Sequence, residues 1–516
     1  MAIETLIRTS EYHDSVSLML VAQELAKLPG VQDAAVVMAT EANKGILRDS
    51  GLLTPEAEAA TPNDLVIAVK AEENAEAAMA EAEKLLDKKA TAEEGSEFRP
   101  KTLRGAVKTR PEANVAVISV AGRYAADEAW DALRRGLHVL LFSDNVTLED
   151  EIELKEYARD NGLLLMGPGA GTTILNGVAL GFANVVPDGP VGIVSAAGTG
   201  LQEVSTLLAK RGVGITQGIG VGGRDLKESV GGTMMLASLE ALQADPDTKV
   251  IVLISKPPSD AVTKKVLGKV ADSEKPTIIC FMGSEPDLSG IENAEAAVTL
   301  QAAALIAARY AGADVPDLET LLSEEQTQLD EMTAELKGKL KPEQKFLRGL
   351  FSGGTLTYET EVILEDMLEE PVRSNAPLDP KDQLEDSNVS VGHTVIDLGE
   401  EEFTVGRPHP MIDNDLRIRR LLKEAEDPEM AVMMLDVVIG YGAHLDPASE
   451  LAPAVIEAKE IAAKDGRELI VVASVTGTEQ DPQGLTSQIK ELEAAGVIVL
   501  ESNAAAARLA GKLVAS

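Results

Sequence analysis

The sequence predicts a multidomain α/β protein. From residue 111 to residue 516, apolar strand-like runs alternate with amphipathic helices, as in parallel sheets covered by helices. The composition agrees, since 45% of the 516 residues are hydrophobic, only 3% are aromatic, and 43 are glycine. Strands rich in Val, Ile and Leu suit parallel sheets that are buried on both faces. A long internal repeat, residues 187–312 against residues 342–516, further predicts a duplicated domain.

Residues 1–90 predict a small ferredoxin-like α+β domain. The strand-like segments "IETLIRTSEYH", "VQDAAVVMA" and "DLVIAVKA" are combined with two amphipathic helices, "DSVSLMLVAQELAKL" and "AEAAMAEAEKLLDKK". That order is typical of a β-α-β-β-α-β module. The polar stretch over residues 88–110 predicts a linker to the rest of the chain.

Residues 111–186 predict a Rossmann-like domain. The apolar runs "NVAVISV", "HVLLFSD" and "LLLMGPGAG" alternate with the helical patterns "ADEAWDALRRG" and "TLEDEIELKEYARDNG". The first helical pattern closes on a glycine, which is a common helix C-terminal signal. This alternation favours a doubly wound parallel sheet.

Residues 187–312 and 342–516 predict two flavodoxin-like domains that repeat one another. In each domain a buried strand ends at a serine, Gly-Thr follows, and a glutamate comes four residues after the threonine. The later run "DPDTKVIVLISKPPSD" is likewise echoed by "DPEMAVMMLDVVIGYGAHLDP". A charged helical connector spans about 316–341, and an insertion near 365–395 predicts a surface excursion of the second copy.

The two strand-to-helix turns are candidate anion sites. Ligands of open α/β sheets bind outside the carboxyl ends of the strands, where a helix start offers free N–H groups and a positive dipole end. Glycine lets an anion approach the backbone closely. The alternative is a tight connection without a ligand. The candidate binding residues are Gly198, Thr199 and Gly200 in the first turn and Ser352, Gly353, Gly354, Thr355 and Thr357 in the second.

The run "TVGRPHPMIDNDLRIRR" holds the densest polar group of the chain. Arginine forks suit carboxylate or phosphate, and histidine can donate to an oxyanion or move a proton near neutral pH. The alternative is a helix entry with solvated charges. The candidate residues of this run are Arg407, His409, Asp413, Asn414 and Arg417.

Charge and composition exclude several classes of partner. The net charge of −38 opposes nucleic acid and anionic membranes at long range. The single cysteine, Cys280, cannot form an internal disulfide, and no signal-peptide pattern opens the chain, so we expect a cytoplasmic protein. No cluster of His, Cys and carboxylate residues has metal-ligand spacing, so no metal site is predicted.

The second turn carries a family resemblance. "SGGTLTYE" resembles the "SGTLTYE" turn of the succinyl-CoA synthetase alpha subunit, and "VGIVSAAGTGLQEV" resembles its ligase domain. Residues 111–186 resemble its CoA-binding domain, so the similarity covers most of residues 111–516 in the correct order. The whole layout, with its duplicated ligase-like domain and "GRPHPMID", resembles the FdrA family, which is often labelled acyl-CoA synthetase.

The resemblance to FdrA proteins implies a subunit of oxamate carbamoyltransferase, a hetero-oligomer that acts in purine-ureide (allantoin) catabolism. That enzyme interconverts oxalurate plus phosphate with oxamate plus carbamoyl phosphate. On this interpretation His409, Arg407 and Thr355 are the catalytic residues: His409 and Thr355 stabilise charge on the transferred carbamoyl group, and Arg407 binds a carboxylate or phosphate. The expected partners are other subunits of the same complex and a small anionic substrate, and a homodimer is also open.

Two alternatives stay open. One is an acyl-CoA synthetase subunit that takes its nucleotide site from a partner and binds CoA around Ser119–Asp127; CoA is a cofactor by resemblance only. The synthetase works through a phosphorylated histidine, yet the corresponding loops here, "FMGSEPDLSG" and "ASVTGTEQDPQG", contain no histidine. No segment resembles an ATP-grasp domain, and the synthetase's "GPN" turn is "GPG", so complete ligation by this chain alone is not expected. The other alternative is a non-catalytic scaffold or sensor.

Overall fold

The computed structural model describes residues 2–9, 11, 18, 21–22, 24–25, 28, 30–71, 75–93, 100–404 and 407–515. The chain forms two compact units. One unit consists of residues 1–110 together with 401–408, and the other consists of residues 111–400 together with 409–516.

The first unit is an α+β domain with an antiparallel sheet in the order β1-β3-β2. Its strands are β1 (Ala2–Arg8), β2 (Val31–Met38) and β3 (Leu65–Ala71). Its helices are α1 (Glu41–Asp49), α2 (Pro55–Ala59), α3 (Ala75–Glu93) and α4 (Leu103–Thr109), with a single helical turn at Glu401–Thr404.

The central strand β3 alternates its side chains between two small apolar cores, as the period of a strand requires. Leu65, Ile67 and Val69 enter one core, and Val66 and Ala68 enter the other. The predicted α+β character is confirmed. However, α1 and α2 stand between β2 and β3, where the sequence predicted a direct connection, and the helix predicted over 14–28 lies largely outside the described residues.

The second unit begins with a parallel three-stranded sheet in the order β4-β5-β6. Its elements are β4 (Val115–Ile118), α5 (Gly122–Arg134), β5 (His138–Leu141), α6 (Leu148–Asp160) and β6 (Leu165–Met166). The buried Lys155 of α6 donates to Glu151 and, at 2.8 Å, to Asp225 in the following domain. This buried ion pair fixes α6 against that domain.

A seven-stranded sheet follows in the order β13-β12-β11-β9-β10-β7-β8. Its strands are β7 (Thr172–Leu175), β8 (Val178–Gly181), β9 (Asp188–Ser195), β10 (Ile215–Gly220), β11 (Val250–Ser255), β12 (Thr277–Phe281) and β13 (Ala294–Ala296). Its helices are α7 (Gly198–Lys210), α8 (Thr233–Ala244), α9 (Asp260–Ala271) and α10 (Leu300–Tyr310). The antiparallel hairpin β7–β8 adds to β10, so this sheet starts before the boundary that we predicted at residue 186.

A long helix, α11 (Leu318–Lys337), forms the predicted connector, and a six-stranded parallel sheet follows in the order β15-β16-β14-β17-β18-β19. Its strands are β14 (Phe346–Phe351), β15 (Val372–Ser374), β16 (His393–Asp397), β17 (Met430–Val438), β18 (Ile470–Thr476) and β19 (Val497–Leu500). Its helices are α12 (Gly354–Met367), α13 (Asp415–Ala425), α14 (Pro447–Lys464), α15 (Leu485–Ala494) and α16 (Asn503–Val514).

The mixed α/β multidomain class is confirmed. All nine residues of β17 are buried, as expected for a central parallel strand covered on both faces. The insertion near 365–395 supplies the edge strand β15 in addition to surface loops.

Among the described residues, no helix combines the length and the apolar character that crossing a membrane requires.

Candidate functional site

The two glycine-rich turns occupy equivalent places in their sheets. β9 ends at Ser195 before α7, and β14 ends at Phe351 before α12. Neither helix has a side chain that accepts a hydrogen bond from its first turn. The first N–H groups of an α-helix have no partner within the helix, so both helix starts keep donors for another group.

The two helix starts also pack against each other. A β-carbon at Gly353 would lie 2.9 Å from Thr199 Oγ1, and one at Gly200 would lie 3.0 Å from Thr355 Cγ2. Larger residues at these two glycines would push the helices apart, so glycine is required by close approach. Each threonine therefore contacts the glycine of the opposite turn, and the duplicated turns meet face to face.

The second turn already holds an anion that belongs to the chain. Asp436 of β17 accepts from the N–H of Ser352 at 2.7 Å and from the N–H of Gly353 at 2.8 Å, and the Ser352 hydroxyl also bonds to it. We predicted Ser352 and Gly353 as substrate-binding donors. These donors are occupied, because the neighbouring parallel strand places a carboxylate directly over them.

Arg417 and Asn414 are bound into the same internal cluster. Arg417 pairs with Asp436 at 3.0 Å and donates to Asn414 Oδ1 at 2.7 Å, and Asn414 donates to Glu450. Arg417 is buried, and among the described residues its Nε alone finds no hydrogen-bond partner. Burial raises the pKa of Asp436, and Arg417 opposes that change. Both predicted substrate ligands thus serve to stabilise the buried Asp436 carboxylate.

Three threonine hydroxyls at the facing turns are free. Thr199 and Thr355 are each 6% exposed and Thr172 is 1% exposed, and none of the three hydroxyls has a hydrogen-bond partner in the described part of the chain. Thr172 Oγ1 would lie 3.3 Å from a β-carbon at Gly198, beside the start of α7. Buried hydroxyls are normally hydrogen-bonded, so this group is prepared for an acceptor. The hydroxyl of Thr357, in contrast, donates to the carbonyl of Gly353.

Sequence reasoning missed Thr172 and Asp397. Thr172 lies on the hairpin strand β7, and only the pairing of β7 with β10 brings it to the start of α7. Asp397 ends β16 and pairs in register with Phe351, so it stands at the carboxyl edge beside the second turn. The apolar run "VIDLG" with an aspartate at its end was the available signal for Asp397.

Asp397 is a buried carboxyl at the start of α12. Its Oδ1 accepts from the N–H of Gly399 at 2.8 Å, and its Oδ2 contacts the Cα side of Gly354 so closely that no larger residue fits there. Burial raises the pKa of Asp397 to about 7, and the nearby Glu400 adds to the shift. This carboxyl can therefore exchange a proton near neutral pH.

His409 lies on the same side of Gly399 as Asp397. Its Nδ1 accepts from the N–H of Met411 at 3.2 Å, which leaves the proton of the neutral ring on Nε2. The ring packs on Phe182, with the ring centroids 5.5 Å apart. Burial, together with the smaller effect of the Arg417 charge, lowers the pKa of His409 to about 4, so the ring is a neutral donor at pH 7.

The two remaining predicted residues are Arg407 and Asp413. Arg407 is exposed and belongs to the compact unit formed by residues 1–110 and 401–408, where its N–H donates to Thr404. Asp413 accepts from the N–H of Asp415 at the start of α13, and burial raises its pKa.

A cavity of about 420 Å³ is lined by none of the candidate residues; its lining comes from residues 177–179, residues 184–186 and Tyr441.

Three family models match the chain. A model described as "CoA binding domain" matches residues 187–283, and one described as "CoA-ligase" matches residues 350–513. These segments contain the first and the second turn, respectively. A model described as "AllF, heavy metal-associated domain" matches residues 1–101, a segment that contains no cysteine. In the described part of the chain, no group of three or more His, Cys, Asp and Glu side chains is arranged to hold a metal ion.

The "Uncharacterized protein YahF" of Escherichia coli (strain K12) is 45% identical to the chain over 520 residues, covering 100% of this chain and 99% of YahF. The chain belongs to the YahF family. The alpha subunit of succinate–CoA ligase (ADP-forming) from Methanothermobacter thermautotrophicus is 27% identical over 34% of this chain and 58% of that subunit. The chain thus combines CoA-binding-like and CoA-ligase-like domains in one polypeptide.

Among solved structures, PH0766 from Pyrococcus horikoshii OT3 aligns with 81% of this chain and 88% of its own chain. The sequence identity is 17% and the TM-score is 0.34.

Proposed function

We propose that this YahF-family chain is the acid-binding subunit of a cytoplasmic acid–thiol ligase complex. It binds a phosphorylated carboxylic acid between the starts of α7 and α12, and a partner subunit supplies the nucleotide site. The observation that carries this proposal is the set of three buried hydroxyls of Thr172, Thr199 and Thr355 at two helix starts that face each other, none of which has a partner among the residues that the structure describes.

The chemistry of an acyl phosphate suits this arrangement. Its phosphoryl group presents several acceptor oxygens and negative charge, while the site offers hydroxyl donors, N–H groups and two positive dipole ends. A charged hydrogen bond contributes about 1.5–3 kcal/mol, so two or three of them give a useful affinity. Asp397 and His409, beside the second turn, supply an exchangeable proton and a neutral N–H donor.

The comparisons support a ligase-type role. The CoA-binding and CoA-ligase matches contain α7 and α12, and the succinate–CoA ligase relative is itself a subunit. The segment Ser119–Asp127, which we expect to contact CoA from the resemblance, lies outside both matches; it carries the exposed side chains of Val120 and Tyr124 beside Arg123. An exposed aromatic ring and an arginine are suitable for stacking on an adenine and pairing with phosphate.

Carbamoyl transfer is the second candidate, and the missing histidine favours it. Neither late loop, residues 281–290 or 473–484, contains a histidine to carry a phosphoryl group. The second loop is held by Asp481, which accepts from Asn184 and from the N–H of Val185 at 2.7 Å. Carbamoyl phosphate is also a carboxy-phosphoryl anhydride, so the FdrA reaction, transfer between oxalurate and phosphate, uses a ligand of the same chemical form.

Titration calorimetry tests the proposal on the full chain. Inorganic phosphate, acetyl phosphate and carbamoyl phosphate are each titrated into the wild-type protein and into Thr199→Val and Thr355→Val. The matched control is Thr206→Val on the same helix α7, because the hydroxyl of Thr206 donates to Glu203 O. We expect the first two variants to weaken binding by about tenfold or more, which corresponds to about 1.4 kcal/mol.

Two further results distinguish the candidates. Binding of CoA to the same chain supports the ligase role, whereas carbamoyl phosphate binding without CoA binding supports carbamoyl transfer. If none of the phosphorylated probes binds, or if Thr199→Val and Thr355→Val bind like Thr206→Val, the paired turns are not the anion site.

A further inference from the structure

Resting on the proposed function, we infer that Lys256 is the charged group that makes this site select a phosphoryl dianion over a simple carboxylate. The inference concerns a residue outside both turns and outside the "GRPHPMID" run. It rests on where the backbone of Lys256 lies, on where its ammonium group points, and on the charges around it.

The backbone of Lys256 stands beside the first turn. β11 ends at Ser255, and its residue Ile254 pairs in register with Ser195, the last residue of β9. The N–H of Ala196 donates to the carbonyl of Ile254 at 2.9 Å. Lys256 therefore leaves the carboxyl edge of the sheet next to the strand that feeds α7, where ligands of such sheets bind.

The side chain of Lys256 crosses to the second turn. Its Nζ lies 5.0 Å from the ring centroid of Tyr358, which stands one helical turn after Gly354 in α12. An ammonium over an aromatic face is held by the ring quadrupole. Lys256 is exposed, and in the described part of the chain its ammonium has neither an ion-pair nor a hydrogen-bond partner. It thus links both turns while keeping its three donors free.

The charges nearby explain why such a cation is needed. Arg417 is already neutralised by the buried Asp436. Asp397 stands at the start of α12, and Glu361 is buried about two turns further along that helix. Burial raises the pKa values of both carboxyls, and the nearby positive charge of Lys256 opposes the rise in each case. A dianion entering this acidic surrounding gains most from the free ammonium.

Calorimetry with inorganic phosphate and with acetate, in mildly alkaline buffer of low ionic strength, tests the inference. The variants are Lys256→Met, which removes the charge and keeps the length, and Lys256→Arg, which keeps the charge. The control is Lys264→Met, an exposed lysine on α9. We expect Lys256→Met to weaken phosphate binding by about tenfold, or about 1.4 kcal/mol. We expect acetate binding to change by less than about twofold and the other two variants to behave like wild type.

A second pair of variants examines the aromatic ring. Tyr358→Phe keeps the ring face and should bind phosphate like wild type, whereas Tyr358→Leu should lose part of the affinity that Lys256→Met loses. If Lys256→Met binds phosphate as wild type does, or loses phosphate and acetate affinity equally, the inference is wrong while the proposed site stands. If wild type binds no phosphate, both fall together.

Discussion

Glu203 and Glu359 each hold the first turn of a helix in the other ligase-type domain. Glu203 Oε1 accepts from the N–H of Asn503 at the start of α16, at 3.0 Å. Glu359 Oε1 accepts from the N–H of Leu300 at the start of α10, at 2.7 Å. The two glutamates occupy equivalent positions after the two turns. Each domain therefore binds a helix start of the other domain through the same residue of the repeat, and these reciprocal contacts fix how α7 and α12 face each other.

We predict that the contacts of Glu203 and Glu359 with the opposite domain contribute a large part of the stability of the paired turns. Each glutamate is 1% exposed and accepts two hydrogen bonds, so Glu203→Ala or Glu359→Ala leaves buried donors unpaired. We expect the free energy of unfolding to fall by about 1.5–3 kcal/mol in each case. Because both carboxylates bond to Asn503, the double variant should not be additive. Chemical denaturation measures these values.

The control for that experiment is Glu331→Ala on α11, since an exposed helix glutamate contributes within about 0.5 kcal/mol. If Glu359→Ala lowers the free energy of unfolding no more than Glu331→Ala does, the contacts of the two glutamates do not stabilise the paired turns.

We predict a pH-dependent gain in stability from Asp397→Asn. Burial raises the pKa of Asp397 from 3.8 in the unfolded chain to about 7 in the folded protein. The contribution of Asp397 to the free energy of unfolding is therefore fully present below about pH 4 and is lost as the pH rises through about 7. The melting temperature of Asp397→Asn minus that of wild type should accordingly increase from about pH 4 to about pH 8.

Asp272→Asn, at an exposed helix end, reports what removing a surface carboxylate does over the same range. A difference between Asp397→Asn and wild type that stays constant with pH would show that Asp397 is ionised throughout.

We predict that the chain carries no phosphohistidine. Both late loops lack histidine, and Nδ1 of His409 and of His393 already accepts a backbone N–H, which engages the lone pair that would attack a phosphoryl group. Incubation with γ-labelled ATP should leave no acid-labile label on the chain. A succinate–CoA ligase with both subunits is the positive control. Acid-labile label on this chain would contradict the prediction, because it would show that a histidine of the chain carries a phosphoryl group.

The repeat and the two turns were predictable because they depend on local pattern. The spacing from Thr199 to Glu203 is repeated from Thr355 to Glu359, and both helices begin as that pattern predicts. What the pattern does not contain is the contact between copies. That Thr199 lies against Gly353 depends on the packing of two sheets whose turns are more than 150 residues apart.

The charged residues were less predictable for the same physical reason. Arg417 was expected to bind substrate, because an arginine in a polar run is typical of an anion site. Its partner Asp436 lies inside the apolar strand β17, where nothing in the sequence indicates which neighbouring donors its carboxylate meets. Asp397 was missed similarly, since only the register of β16 on β14 places it beside Gly354.

The most direct test of the central claim is a crystal structure of the full chain soaked in tungstate, a tetrahedral anion located by its anomalous scattering. The account predicts one ordered ion between the starts of α7 and α12, within hydrogen-bond distance of the hydroxyls of Thr199 and Thr355, and no such ion in Thr199→Val. An ion that orders elsewhere in wild type, with the space between the two helix starts empty of it, would contradict the proposed anion site.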